Sequence, residues 1–223
     1  MGGNMADHNV DIFNDKYEYI GISNKRLAHL EGLWHRVFTC IVINSDEKTM
    51  ILQSKVPNQY SFEREDYLDI SVGGHYKAGE RIQDGIRELK EEIGIDVDFE
   101  ELIEIGIRQT SKTISADYIS NEFQHLFLYD SNRQLTQYKP DNKEVKELVE
   151  VPIYQGIDLL LGKIEYLEVK TFGIKDGNRV VSHKVITLKD FVPDYLTIDK
   201  FMMRLFITAK RYIEGEKKEF LFW

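Results

Sequence analysis

This chain is poor in the features that cross-link a protein or anchor it. Among 223 residues there is one cysteine, Cys40. No internal disulfide framework is available, and a reducing, cytoplasmic setting is expected. Cys40 lies in the apolar run HRVFTCIVIN, which reads as a buried strand with the thiol as a small core group. No stretch reaches the roughly 18 apolar residues needed to span a bilayer. The start, MGGNMADHNVD, has no apolar centre, so no secretory signal is expected and residues 1-15 are expected to be flexible. Positive charge is scarce as well. Twenty-nine Lys and Arg face 38 Asp and Glu, a net charge of -9, which argues against nucleic acid or an anionic membrane as the main partner. Phosphate ligands stay open to an acidic protein when metal ions mediate the contact. There are no internal repeats and no low-complexity tracts.

Hydrophobic residues make up 42% of the chain, enough for one large core or a core with a small appendage. KYEYIGISNKRLAHLEGLWH mixes a short strand with a helical turn. RVFTCIVINSDEKTMILQSK reads as two strands joined at NSDEK, and YLDISVGG as one more short strand. A helix follows, with Ile82, Ile86, Leu89 and Ile93 at helical spacing and Gly94 as its C-terminal cap. Gly85 falls on the inward side, where its cost in helix propensity, about 1 kcal/mol, suggests close approach to a sheet. ELIEIGIRQT and NEFQHLFLYD are strands with a polar loop between them, and VKELVEVPIYQGIDLLLG gives a strand and a short helix. Beyond residue 162 the character changes to a hairpin about IKDG and a last helix. That helix is expected to align Ile198, Phe201, Met202, Leu205, Phe206, Ala209 and Ile213 on one face.

The unusual stretch is SVGGHYKAGERIQDGIRELKEEIGID. On a helix Glu88, Glu91 and Glu92 stand at i, i+3 and i+4, where like charges repel. Oxygen donors gathered this way suit Mg2+ or Mn2+, which bind substrate phosphates. Arg87, four residues before Glu91, is placed to orient that carboxylate. The Gly73–Gly74 turn brings backbone close, and a Gly74 carbonyl can add an oxygen ligand. A solvated acidic face paired with Lys90 and Arg81 is the plainer account of the glutamates taken alone. Glu91 and Glu92 are both expected to face solvent.

The order of these residues resembles the Nudix box, G-x5-E-x7-R-E-U-x-E-E-x-G-U, with U aliphatic. Gly74, Glu80, Arg87, Glu88, Glu91, Glu92 and Gly94 follow it, and Leu89 and Ile95 fill the aliphatic positions. Only six residues, RIQDGI, separate Glu80 from Arg87 where the pattern has seven. The resemblance implies an α+β fold, a Nudix-type α/β/α sandwich with a mixed sheet over residues 16-162. Residues 163-223 are then a C-terminal hairpin-and-helix extension, packed on the domain or at a homodimer interface. It also implies divalent-metal-dependent hydrolysis of a nucleoside diphosphate linked to another group. Glu88, Glu91 and Glu92 would hold metal, with Glu88 deprotonating the attacking water.

EGLWHRVFTCIVIN, MILQSK, LDISVGGHYKAGE and NEFQHLFLY are similar to the isopentenyl-diphosphate-isomerase-like subgroup. In that subgroup's isomerases a Cys-Gly-His-Pro signature supplies a catalytic thiol. Here the stretch is Gly73-Gly74-His75-Tyr76, so hydrolysis is expected over isomerisation, with a non-catalytic nucleotide sensor as a further alternative. Glu122 matches a metal-ligating carboxylate of the subgroup. His29, His35 and His75 stand either for its histidine-rich metal site or for hydrogen-bonded or phosphate-contacting histidines. Arg36, Lys55, His35 and His75 are candidates for substrate phosphates, and Trp34 for stacking on a flat ligand. Trp223 is expected to anchor the tail.

Overall fold

The computed structural model describes residues 8–56, 67–175 and 177–223. Residues 1–7 of the expected flexible start lie outside them, and the remainder of that start includes a strand. Asn9–Phe13 forms strand β1, antiparallel to β2 (Tyr19–Asn24) and to the beginning of β3 (Trp34–Asn44). Burial of Val10 and Phe13 holds it in place. Between β2 and β3, helix α1 (Lys25–Glu31) opens on Asn24, whose side chain accepts from the Arg26 and Leu27 amides. It closes on Gly32 in the left-handed region.

β3 organises the sheet. One edge pairs in parallel with β8 (Tyr118–Asp130) from His35 to Ile43. The other edge is shared by β1, by β6 (Val72–His75) and by β4 (Thr49–Lys55). The single expected strand YLDISVGG is two, β5 (Leu68–Asp69) and β6. Between them the Ser71 hydroxyl accepts from the Val42 amide and donates to the Ile51 carbonyl, replacing strand pairing. Among the described residues, every strand pair except β3–β8 is antiparallel. β7 (Ile103–Ser115) pairs with β8, β9 (Val145–Pro152) with β4, and β10 (Leu167–Lys175) with both β9 and β11 (Asn178–Ile186). The polar loop expected before Asn121 is the end of the β7–β8 hairpin, whose strands run on to Ser115 and Tyr118.

Both faces of the sheet are covered, so β3 is apolar on both sides from Cys40 to Ile43. Phe38, Cys40 and Val42 of β3 pack with Leu89 and Ile93 of α2 (Arg87–Ile93). Ile41 and Ile43 look the other way, toward α3 (Ile153–Leu160) and α5 (Phe201–Ile213). The result is the expected α/β/α sandwich. The box helix is not uniform, however. Ile82–Ile86 is a 3-10 turn, and the α-helix begins at Arg87. The Gly85 Cα lies so close to the Phe38 and Tyr76 rings that an added Cβ would stand 2.7 Å from each.

The C-terminal region is built into the same core. β10 extends the sheet beside β9, and Leu167, Val169, Phe201, Met202, Leu205, Phe206 and Ala209 join the α3-side cluster. Ile198 departs from expectation. It is 65% exposed, because α4 (Pro193–Thr197) ends there and Lys200, in the left-handed region, separates it from α5. The α3–α5 contact is tight at Gly156, where a Cβ would stand 2.3 Å from Phe206. Gly156→Val should therefore overpack this contact and cost about 1–3 kcal/mol, seen as a lower denaturant midpoint. An unchanged midpoint would mean that α5 is not held there.

Candidate active site

Arg87 opens α2 and is the hub of the acidic cluster. Its Nε and Nη2 donate to the two Glu80 oxygens at 2.8 and 3.2 Å, and Nη2 also donates to the His75 carbonyl at 2.7 Å. Nη1 donates to Glu88 at 2.6 Å and to Glu91 at 3.0 Å. One partly buried guanidinium thus offsets three like charges and fixes their directions. The six-residue spacer fits because a 3-10 turn advances about 2.0 Å per residue against about 1.5 Å in an α-helix. Glu80 reaches Arg87 across fewer residues.

The three helix glutamates differ in environment. Glu91 has a half-exposed side chain held by Arg87. Glu88 is buried over Gly74, where a Cβ would fall 2.1 Å from its carboxyl carbon. Only glycine leaves room for that carboxylate. Burial, with Glu92 and Glu91 adding and Arg87 opposing, pushes the Glu88 carboxyl up to about 7. Glu92, expected to face solvent, is 2% exposed. It accepts from Gln53 Nε2 at 3.0 Å, Lys55 Nζ at 3.2 Å and the Gly73 amide at 3.1 Å. Position 92 lies on the flank of α2 that meets β4 and β6, and Lys55 and Gln53 make its burial tolerable. Lys55 is thus engaged with a box glutamate.

A second cluster lies beside the first. Among the described residues, the one group of three His, Cys, Asp or Glu side chains with ligand atoms all within 4.8 Å of one another is His29, His35 and His75. His29 Nδ1 faces the Ile119 carbonyl at 3.2 Å, and His35 Nδ1 faces the Leu33 carbonyl at 2.8 Å. Carbonyls only accept, so each Nδ1 carries the hydrogen and each Nε2 a lone pair. The buried His35 Nε2 has no hydrogen-bond partner. His29 and His75 bring their Nε2 atoms to 3.1 Å, near the roughly 3.3 Å separating two nitrogens about 2.0–2.1 Å from a tetrahedral ion. Burial lowers all three imidazoles, His29 to about 4, which keeps them neutral as ligands must be. Glu122 is opposite His35 in the β3–β8 register and is buried. Both donor sets fit cations: oxygens backed by Arg87 and Lys55 in one, an orphaned imidazole nitrogen in the other.

Lys25, not singled out from the sequence, feels the charge of both carboxylate groups. Burial lowers its pKa most, while Glu88 and Glu122 both pull it up. The signal was available: Lys25 and His29 stand at i and i+4 of α1, so they share a face.

The family model for the NUDIX domain matches residues 33–165. An uncharacterized Nudix hydrolase of Clostridium acetobutylicum is 32% identical over 201 residues, covering 90% of this chain and 97% of that protein. The chain is a Nudix hydrolase. Among solved structures, DR0079 from Deinococcus radiodurans is 18% identical with a TM-score of 0.49, over 69% of this chain and 89% of that one. The E. coli dihydroneopterin triphosphate pyrophosphohydrolase is 20% identical with a TM-score of 0.43, over 55% and 83%.

The other candidates of this Nudix hydrolase are distributed as follows. Arg36 does not turn to the carboxylates. It donates to Asp11 at 2.9 Å and to the Glu80 carbonyl at 2.7 Å and stacks over Phe13 and Tyr76, so it ties β1 to the box loop. Cys40 is fully buried, and burial pushes its thiol far up, as a core group requires. Trp34 packs on Phe123. Trp223 anchors the tail, its amide donating to the Ile105 carbonyl and its ring under Arg204.

Gly74→Ala should displace the Glu88 carboxylate and lower turnover severely while the protein stays folded; activity near wild type would show that Glu88 needs no such room. The raised Glu88 pKa also predicts a pH effect. The unfolded carboxyl releases its proton near 4.5 and the folded one near 7, so the folded state binds more protons in between. Stability from this group therefore falls as pH rises through that window. In chelator, Glu88→Gln should gain thermal stability relative to wild type from pH 4.5 to 7, and parallel Tm curves would refute it.

Proposed function

We propose that this Nudix hydrolase cleaves the diphosphate linkage of an organic diphosphate of the nucleoside-diphosphate type, with Mg2+ or Mn2+ held by Glu88, Glu91 and Glu92. The observation that carries this reading is Glu88: a buried carboxylate over a bare glycine, with a pKa near neutrality and two further carboxylates beside it. When bound, divalent ions supply positive charge that acidifies water and offsets charge on the phosphoryl oxygens. Glu88 accepts the proton of the attacking water, since a base works best with a pKa near the working pH. Arg87 holds Glu88 and Glu91 in place, and Lys25 lends positive charge between the Glu88 and Glu122 sides of the site. His29, His35, His75 and Glu122 hold a second cation, for which imidazole nitrogen suits Mn2+, Co2+ or Zn2+ better than Mg2+.

The histidine cluster also favours descent from the isopentenyl-diphosphate-isomerase-like branch. Isomerisation itself is disfavoured, because an allylic proton shift needs an acid–base pair and the thiol station is Gly73. A Cβ there would stand 2.8 Å from Ile70 Cδ1, so a larger side chain needs repacking.

The test is a Mg2+-dependent screen of nucleotide sugars, dinucleotides, dinucleoside polyphosphates, nucleoside triphosphates, and thiamine and isoprenoid diphosphates. Release of a phosphate or nucleoside monophosphate is expected; rapid formation of dimethylallyl diphosphate from isopentenyl diphosphate would reverse the ranking. On the best substrate, Glu88→Gln should lower kcat by about a hundred- to ten-thousandfold. Glu91→Gln should also lose orders of magnitude with the fold intact, since its side chain is half exposed. Activity within a few-fold of wild type in both would remove the box glutamates from the chemistry.

A further inference from the structure

Glu122 is held by a chain of side chains that begins outside the matched NUDIX span. Both of its oxygens are engaged: Ser120 Oγ donates to Oε1 at 2.5 Å and Gln124 Nε2 to Oε2 at 2.8 Å. The Gln124 amide is set in turn by Arg108, whose Nη1 donates to Gln124 Oε1 at 2.9 Å. Arg108 is 3% exposed, so its charge needs an anionic partner. Asp199, between α4 and α5, provides it as a fork, with Nε–Oδ2 at 2.6 Å and Nη2–Oδ1 at 3.2 Å. Phe201 lies 4.1 Å from the guanidinium carbon and closes one side. The links share one face of the sheet. Arg108 is opposite Gln124 across β7–β8, Glu122 is two residues from Gln124, and His35 is opposite Glu122 across β3–β8.

We propose that Asp199, acting through Arg108 and Gln124, is a positioning residue for Glu122, so that the C-terminal segment completes the histidine-side cation site. The inference rests on the second-cation reading given above. Its physical core is the near symmetry of an amide. A glutamine can present N–H or C=O to Glu122 at almost equal steric cost, and C=O would repel the carboxylate. Arg108 is donor-only, so it holds the Gln124 oxygen and forces the N–H toward Glu122. Asp199 fixes the guanidinium in the one orientation that does this. A second ion pair, Lys112–Asp194, fastens the same segment to β7 through residues other than Arg108 and Gln124. It separates docking of the segment from the relay.

The experiment is Co2+ titration of the chelator-stripped full-length protein, followed by the visible absorption of imidazole-bound Co2+ and by thermal unfolding. Asp199→Asn should weaken Co2+ binding about 10–100-fold, as loss of an outer-shell partner does, and change the band shape. Asp199→Glu should recover part of the affinity, and Asp194→Asn should bind within about twofold of wild type. If Asp199→Asn fails to fold because Arg108 is left uncompensated, the double variant Arg108→Met/Asp199→Leu removes both charges. It still deprives Gln124 of its donor, and should fold and bind weakly. Wild-type Co2+ affinity in the folded relay variants, with Glu122→Gln weakened, would overturn the relay alone. An unchanged Co2+ spectrum in both Glu122→Gln and His35→Gln would overturn the cation reading and the relay with it.

Discussion

A single guanidinium holds the acidic cluster of this protein together. Arg87 receives Glu80 on two nitrogens, Glu88 and Glu91 on a third, and still reaches the His75 carbonyl at the end of β6. Without it, Glu88 and Glu91, three residues apart on the helix, would splay to escape their mutual repulsion. With it, they are held in position before any ligand arrives. The helix is thereby locked to the strand bearing Gly74, and the Glu88 environment follows from that lock. Burial over a bare glycine raises the carboxyl toward neutrality, while Glu91, on the open flank of the same helix, stays accessible.

Around this lock the sheet does two jobs. β3 carries His35 at its start and the apolar run Phe38–Ile43 through its middle, with both edges paired, so its residues cannot slip relative to those of β8. Glu122 therefore meets His35 by register. The α3-side face is finished by the C-terminal segment, which contributes β10, α5 and the Asp199 clamp on Arg108. The segment therefore belongs to the core of the fold.

Much of this was legible in the residues. The box glutamates, Arg87, the Gly94 cap, the close approach at Gly85 and the buried Cys40 strand follow from spacing and residue type, because each depends on local geometry. What was hidden depends on distant partners. Glu91 and Glu92 are neighbours in sequence, and only Gln53, Lys55 and the Gly73 amide, supplied by other strands, make one buried and the other exposed. The partner of Arg36 was hidden for the same reason, since Asp11 lies on a strand whose polar sequence suggested a loose end. Ile198 was misplaced because Lys200 leaves the helical region between α4 and α5. Lys25 was within reach of a local argument through its i to i+4 relation with His29.

The 3-10 turn from Ile82 to Ile86 carries a lesson for finding such proteins. A motif is written in residues, whereas a binding centre is measured in ångströms, and the exchange rate between them varies with how tightly the backbone is wound. A chain that winds more steeply can drop a letter from the pattern and still deliver Glu80 to Arg87 at full contact. Searches that insist on one fixed count will discard intact members as degenerate, and the lost letter is better judged by whether the guanidinium still closes on its carboxylate.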